Sequence, residues 1–128
     1  MAEDKKYKII IVDDDNFLVN MYSVKFGKAG VGVEVYKTGK AFLDALMGGS
    51  TASLILLDIV MPNMSGLEIL KEMRRQNLAP GVPVIMLTNQ NEEGDIDEGK
   101  KLGVEGYIVK SAATPSEVVE EVMKIINP

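Results

Sequence analysis

The run Leu54-Ile55-Leu56-Leu57 is aliphatic without interruption, and it stops on Asp58. A half-exposed strand alternates apolar and polar residues. An unbroken aliphatic run of strand length instead suits a strand buried on both faces, the usual state in a parallel sheet covered by helices on each side. Such a strand delivers its last residue to the carboxyl edge of the sheet, where open α/β folds place their ligands. Asp58 is therefore either a site residue or merely the opening of a turn or the cap of a helix, and the rest of the chain has to separate these readings.

The rest of the chain repeats one unit. Lys8 to Val12 is a β-branched run that ends at Asp13-Asp14-Asp15, and reads as the first strand. From Asn16 to about Ala29, Phe17, Leu18, Met21, Val24 and Phe26 recur at roughly helical spacing, with Gly30 placed as the stop. Val31 to Tyr36 is a second strand of edge character, and Thr38 caps a helix from Gly39 to Met47. After Leu54 to Leu57, Ser65 and Glu68 form a capping box for a helix carrying Leu67, Ile69, Leu70 and Met73. Val82 to Leu87 is the fourth strand, followed by Thr88 and the polar loop Asn89 to Asn91. Glu92 to Leu102 reads as a weak helix, expected to be the most mobile, since Gly94 and Gly99 each cost about 1 kcal/mol relative to Ala. Gly106 to Val109 is the fifth strand and ends on Lys110. Thr114, Pro115 and Glu117 then cap a last helix bearing Val118, Val119, Val122, Ile125 and Ile126.

Five strands alternating with five helices imply an α/β fold, a doubly wound five-stranded parallel sheet with right-handed crossovers and helices on both faces. In the flavodoxin-like strand order 2-1-3-4-5, the crevice opens between strands one and three. Asp13, Asp14 and Asp58 meet there, and Thr88 and Lys110 stand at the same edge.

Composition narrows what that edge can do. At 128 residues the chain matches a single domain, read as spanning residues 1–128 with no output domain attached. The formal charge of −5 argues against direct nucleic-acid contact. There is no Cys and no His, so thiolate chemistry, a His base and the usual zinc sets are excluded, and any metal must take oxygen ligands. Neither an apolar leader nor the ~20 apolar residues of a membrane span is present, and the expected location is the cytoplasm.

Three carboxylates in one cleft repel one another, by roughly 3 kcal/mol per pair at about 5 Å and an effective dielectric near 20. A hard divalent cation resolves this, Mg²⁺ above all, with Mn²⁺ as a substitute. Lys110 adds a fixed positive charge and Thr88 a hydroxyl for a phosphoryl oxygen. These are the parts of a phosphoryl-transfer site, with Asp58 as nucleophile. Asp15 is either a further ligand or the cap of the first helix. The eight methionines read as core filler. The acidic run Glu92, Glu93, Asp95, Asp97 and Glu98, partly offset by Lys100 and Lys101, reads as a solvated helix face.

From Tyr7 to Ile126 the chain resembles a response-regulator receiver domain of two-component signalling. The match is carried by the strand ending in Asp13-Asp14, the segment Leu56 to Gly66, the strand ending in Thr88, and Tyr107-Ile108-Val109-Lys110. The resemblance implies that Asp58 accepts a phosphoryl group from a histidine kinase or a histidine phosphotransfer protein. It further implies that Asp13, Asp14, Asp58 and the backbone carbonyl of Val60 hold Mg²⁺, and that Thr88 and Lys110 contact the phosphoryl oxygens. Tyr107 is implied to turn inward as Thr88 moves, so that the face of the fourth helix, fifth strand and fifth helix changes partners; its plainer reading is surface packing. Those partners are a downstream protein or an effector domain absent from this chain, and the chain itself is a monomer or a weak phosphorylation-dependent dimer. Val60 and Gln90 occupy the positions that tune the phosphoryl lifetime. Where the family usually has proline after its lysine, this chain has Ser111, and Asn89 stands where a small residue is commoner. A Mg²⁺-dependent phosphatase is the enzyme alternative, but its Asp-x-Asp motif is broken by Val60. A pseudo-receiver that only binds partners is the third reading.

Overall fold

A computed structural model describes residues 6–89 and 93–128; Gln90, Asn91 and Glu92 lie outside the described residues. The elements follow in the order β1 (Tyr7–Val12), α1 (Asn16–Lys28), β2 (Val31–Tyr36), α2 (Gly39–Met47), β3 (Leu54–Asp58) and α3 (Gly66–Arg75). They continue with β4 (Val84–Thr88), α4 (Glu93–Lys101), β5 (Gly106–Val109), a 3-10 turn (Lys110–Ala112) and α5 (Pro115–Ile126). The five strands form one sheet in the order β2-β1-β3-β4-β5, with every neighbouring pair parallel. The doubly wound order expected from the alternation is thus the one observed.

Side-chain alternation divides the core in two. Ile9, Ile11, Leu54, Leu56, Ile85, Leu87 and Ile108 face a layer closed by α1 and α5. Ile10, Val12, Ile55, Leu57, Val84 and Met86 face the opposite layer, closed chiefly by α2 and α3. β3 and β4 are buried at every position, as the unbroken aliphatic runs require.

Helix ends are fixed by the predicted caps. Thr38 accepts from the Ala41 N–H, and Ser65 with Glu68 and Thr114 with Glu117 form reciprocal capping boxes. Asp15 caps α1 by accepting from the Leu18 N–H at 3.1 Å, the plainer of its two readings.

Three expectations shift. β4 begins at Val84, two residues later than the sequence run; Val82 donates to Ala79, and Pro83, lacking an N–H, contributes only its carbonyl, to Ile55. Gly99 in α4 is a packing requirement as well as a helix weakness, because a Cβ there would lie 2.5 Å from the Met86 sulfur. The methionines are not uniformly core: Met73 and Met86 are fully buried, whereas Met21 and Met47 are exposed.

α1 departs furthest from a simple reading. Its buried stripe is Val19, Tyr22 and Phe26, while Phe17, Met21 and Val24, equally regular in spacing, point outward with Phe17 74% exposed. The helix has two apolar faces, and only one is covered. Phe26→Ala is accordingly expected to cost about 3–5 kcal/mol, and Phe17→Ala less than about 0.5 kcal/mol. Urea denaturation of the two variants checks the assignment.

Candidate functional site

The carboxyl ends of β1, β3, β4 and β5 converge where the sheet order reverses, between β1 and β3. Ile9 and Ile11 continue by alternation to Asp13, Leu54 and Leu56 to Asp58, and Ile108 to Lys110, so all three reach the α1/α5 side of the edge. Val84 and Met86 continue to Thr88 on the other side, the side of Tyr107.

Lys110 bridges the two buried acids. Its ammonium lies 2.9 Å from Asp13 Oδ2 and 3.2 Å from Asp58 Oδ1, with the lysine side chain only 16% exposed. The contact to Asp13 is a charge contact outside hydrogen-bond angles, so buried Oδ2 has no directional donor; Asp13 Oδ1 accepts from the Asp15 N–H at 3.0 Å. Asp58 Oδ1 also accepts from the Val60 N–H at 3.3 Å. That leaves Oδ2 as the Asp58 oxygen with no protein partner among the described residues.

Burial pushes the Asp58 carboxyl up to about 7, the neighbouring Asp13 adds to the rise, and Lys110 and the Val60 N–H oppose it. For Lys110, burial alone pulls the ammonium down, but Asp13 and Asp58 outweigh it and hold the group above its ordinary value.

The loop after Asp58 is held tightly. Gly66 N–H donates to Ile59 at 2.8 Å, Met64 N–H donates to Pro62 at 2.8 Å, and Asn63 takes φ 71°. A Cβ on Gly66 would collide with the Asp58 carbonyl and come within 2.9 Å of the Ile59 Cα. The glycine in the Ser65-Gly66 pair is therefore what lets α3 start against the back of the site strand.

Exposed Asp14 completes the group: Asp13, Asp14 and Asp58 each offer a carboxylate oxygen, all within 4.8 Å of one another. An all-oxygen donor set, with one buried oxygen lacking a directional donor, fits a hard divalent cation. Thr88 is fully buried with its Oγ1 unpartnered, and Tyr107 is 42% exposed with the Lys100 ammonium 5.4 Å from its ring centre. Val60 is exposed, and Gln90 lies outside the described residues. After Lys110 the chain makes the 3-10 turn rather than a proline turn, and no peptide bond among the described residues is cis.

Sequence reasoning missed Tyr22. It is fully buried on α1, and its hydroxyl has no hydrogen-bond partner. Burial raises its pKa, Lys110 opposes, and Asp13, Asp58 and Asp15 add to the rise. The usable signal was the stripe Val19, Tyr22, Phe26, which competes in the sequence with Phe17, Met21, Val24.

The reversed sheet order and its pocket of three acids and one lysine define a doubly wound α/β domain whose chemistry sits at the switch point. The family model described as the response regulator receiver domain matches residues 9–123, and the chain belongs to that family. It is 33% identical over 122 residues to the alkaline phosphatase synthesis transcriptional regulatory protein PhoP of Bacillus subtilis, covering 94% of this chain and 48% of that protein. It is 32% identical over 119 residues to the response regulator SaeR of Staphylococcus aureus, covering 93% and 50%. The chain thus spans about half the length of these curated relatives. Among solved structures it resembles the Vibrio cholerae chemotaxis protein CheY4 (TM-score 0.81, 29% identity, 93% of this chain and 98% of that one). The receiver domain of Francisella response regulator 1452 is similar too (TM-score 0.82, 27% identity, 94% and 97%). The chain is a receiver domain, a signalling domain of two-component systems. No helix among the described residues is long and apolar enough to cross a membrane.

The raised Asp58 value has a definite sign. The folded protein holds this proton more tightly than the unfolded chain, whose Asp titrates near 3.9, so this contribution to stability is full below that value and is lost as pH rises through about 7. In divalent-free buffer, Asp58→Asn is expected to gain stability over wild type as pH rises from about 4 to about 7, and to keep that gain above it. Denaturation midpoints of both proteins across this range check it; an equal difference at both ends would contradict it.

Proposed function

We propose that this domain is a phosphorylation-controlled switch in which Asp58 accepts a phosphoryl group from a protein phosphohistidine. The observation that carries the reading is the Asp58 carboxylate itself: Oδ1 is tied to Lys110 and the Val60 N–H, and Oδ2 is left for attack. Oδ2 forms the bond to phosphorus as the phosphorus–nitrogen bond of the phosphohistidine breaks; the imidazole nitrogen leaves with the electron pair and takes a proton from solvent. Lys110 lies beside the accepting carboxylate and neutralises charge on the transferring group. The Thr88 hydroxyl, buried and unpartnered, donates to a phosphoryl oxygen. Asp13, Asp14, Asp58 and the Val60 carbonyl would hold Mg²⁺, or Mn²⁺ in its place, which when bound supplies charge neutralisation to the phosphoryl oxygens. The domain promotes its own phosphorylation and dephosphorylation and has no external substrate.

The output follows from the other side of the sheet edge. Thr88 and Tyr107 share one face of neighbouring strands, with Met86 opposite Tyr107 and Thr88 opposite Val109. Movement of Thr88 toward a phosphoryl oxygen opens space for Tyr107 to turn inward, and the α4/β5/α5 face changes partners, either a downstream protein or an effector domain. The domain is a monomer or a weak phosphorylation-dependent dimer, and it makes no direct contact with nucleic acid or membrane. As in the sequence reading, it belongs in the cytoplasm.

A phosphohistidine donor is a protein and needs a surface beside the pocket. The exposed stripe Phe17, Met21 and Val24 supplies one, because α1 begins directly after Asp13, Asp14 and its cap Asp15.

Mg²⁺ with acetyl phosphate is expected to add one hydroxylamine-sensitive phosphoryl group to wild type and none to Asp58→Asn, read by intact-protein mass. Unmodified wild type favours a pseudo-receiver, and many-turnover hydrolysis of phosphate esters favours a phosphatase. The double variant Phe17→Ala, Val24→Ala is expected to lose roughly tenfold in transfer from a phosphohistidine protein. Its labelling by acetyl phosphate should stay at the wild-type rate.

A further inference from the structure

Gly99 is the one buried residue of α4 among the described residues, and it sits so close to β4 that a Cβ there would lie 2.5 Å from the Met86 sulfur. Its two chain neighbours reach out to either side of that seat. Glu98 pairs with Lys71 of α3 at 3.6 Å, and the Lys100 ammonium lies over the Tyr107 ring of β5, 5.4 Å from its centre. Just beyond, the Leu102 carbonyl accepts from Arg74 Nε of α3 at 2.8 Å. The last turn of α4 is thereby fixed against α3, β4 and β5 together.

A lysine in a last helical turn complements the helix dipole wherever its side chain points, and Lys101 does so as well as Lys100. What separates the two is the ring. Met86 and Tyr107 are register partners on β4 and β5, so the seat of Gly99 on Met86 carries the next residue, Lys100, to the Tyr107 side. An ammonium within about 6 Å of a ring centroid is attracted to the negative face of the aromatic system. Tyr107 stands exposed, and it is in this outward position that the ammonium meets it.

We propose that Lys100 is a positioning residue for Tyr107: its ammonium holds the ring outward in the unphosphorylated domain, and an inward turn has to give up that contact. The anchored last turn of α4 keeps the lysine in place while the ring moves. An exposed contact of this kind biases a two-state equilibrium by roughly two- to fivefold, enough to lower the inward population without locking the ring. The consequence for output rests on the reading of Tyr107 as the moving residue of the switch; the contact itself does not.

Proton NMR of the unphosphorylated chain tests this. The side-chain methylene protons of Lys100 next to its ammonium are expected upfield, under the ring current of Tyr107, and to return to the ordinary lysine position in Tyr107→Leu. Lys100→Met removes the charge and keeps the length. In that variant the nuclear Overhauser effect between the Tyr107 ring and the Thr88 methyl, which reports the inward ring, is expected to grow roughly two- to fivefold. Lys100→Arg, whose guanidinium also stacks on aromatic faces, is expected to restore the wild-type value, and Lys101→Met to leave it unchanged. Lys100 methylene protons at the ordinary position overturn the proposal. So does a Lys101→Met effect equal to that of Lys100→Met, which would reduce Lys100 to a helix-dipole charge. If acetyl phosphate with Mg²⁺ leaves the Tyr107–Thr88 signal of wild type unchanged, the switch reading of Tyr107 fails, while the Lys100 shift and its rescue by arginine still decide the contact.

Discussion

The ammonium of Lys110, 2.9 Å from Asp13 and 3.2 Å from Asp58, joins three strands that are far apart in sequence. It leaves β5 and reaches past β4 to acids on β3 and β1, so the contact exists only if the sheet is assembled in its observed order. Two buried carboxylates on adjacent strands are unfavourable without such a cation, and the raised Asp58 value shows that the lysine compensates only in part. A buried ion pair of this kind is weak evidence for stability, since desolvation offsets most of its attraction. Its meaning is chemical: it keeps a buried carboxylate next to a fixed positive charge, with one oxygen unclaimed.

The pleat of the sheet then divides labour. Acids and lysine emerge toward α1 and α5; Thr88 and Tyr107 emerge toward the layer that receives α4. The acid pocket and the Thr88–Tyr107 face thereby lie on opposite sides of one edge, a single residue apart on β4. Leu87 lies opposite Asp58 and faces the α1/α5 layer, and Thr88 is the next residue. A change at the Asp58 carboxylate has only that one step to travel before it meets the side chain neighbouring β5.

Much of this was legible because the signals are short-range. Unbroken aliphatic runs identified β3 and β4, and the pairs Ser65 with Glu68 and Thr114 with Glu117 fixed helix starts through hydrogen bonds between residues three apart. The placement of Asp13, Asp14, Asp58, Thr88 and Lys110 at the carboxyl edge was legible because each ends or directly follows a strand run. What escaped depends on tertiary context. Pro83 trimmed β4 through a missing donor. In α1 a 3.6-residue period reports that a face is apolar but not which of two apolar faces is covered, so Phe17 and Phe26 looked alike. Tyr22 went unnoticed for the same reason, and that its buried hydroxyl lacks a partner is something no sequence displays.

The two faces of α1 have one physical consequence in common. The helix is anchored at its start by Asp15, which accepts from Leu18 while its own N–H donates to Asp13, so the pocket acid and the helix cap are one hydrogen-bonded unit. Its inner face buries Tyr22, and its outer face leaves Phe17 exposed. Under the proposed docking reading, a partner settling on Phe17, Met21 and Val24 would press on the element that orients Asp13. A rigid helix pinned at the acids transmits displacement better than a loop would, because packed interiors yield little. The helix cap and the pocket acid Asp13 thus share one hydrogen-bonded start, two residues from the uncovered Phe17.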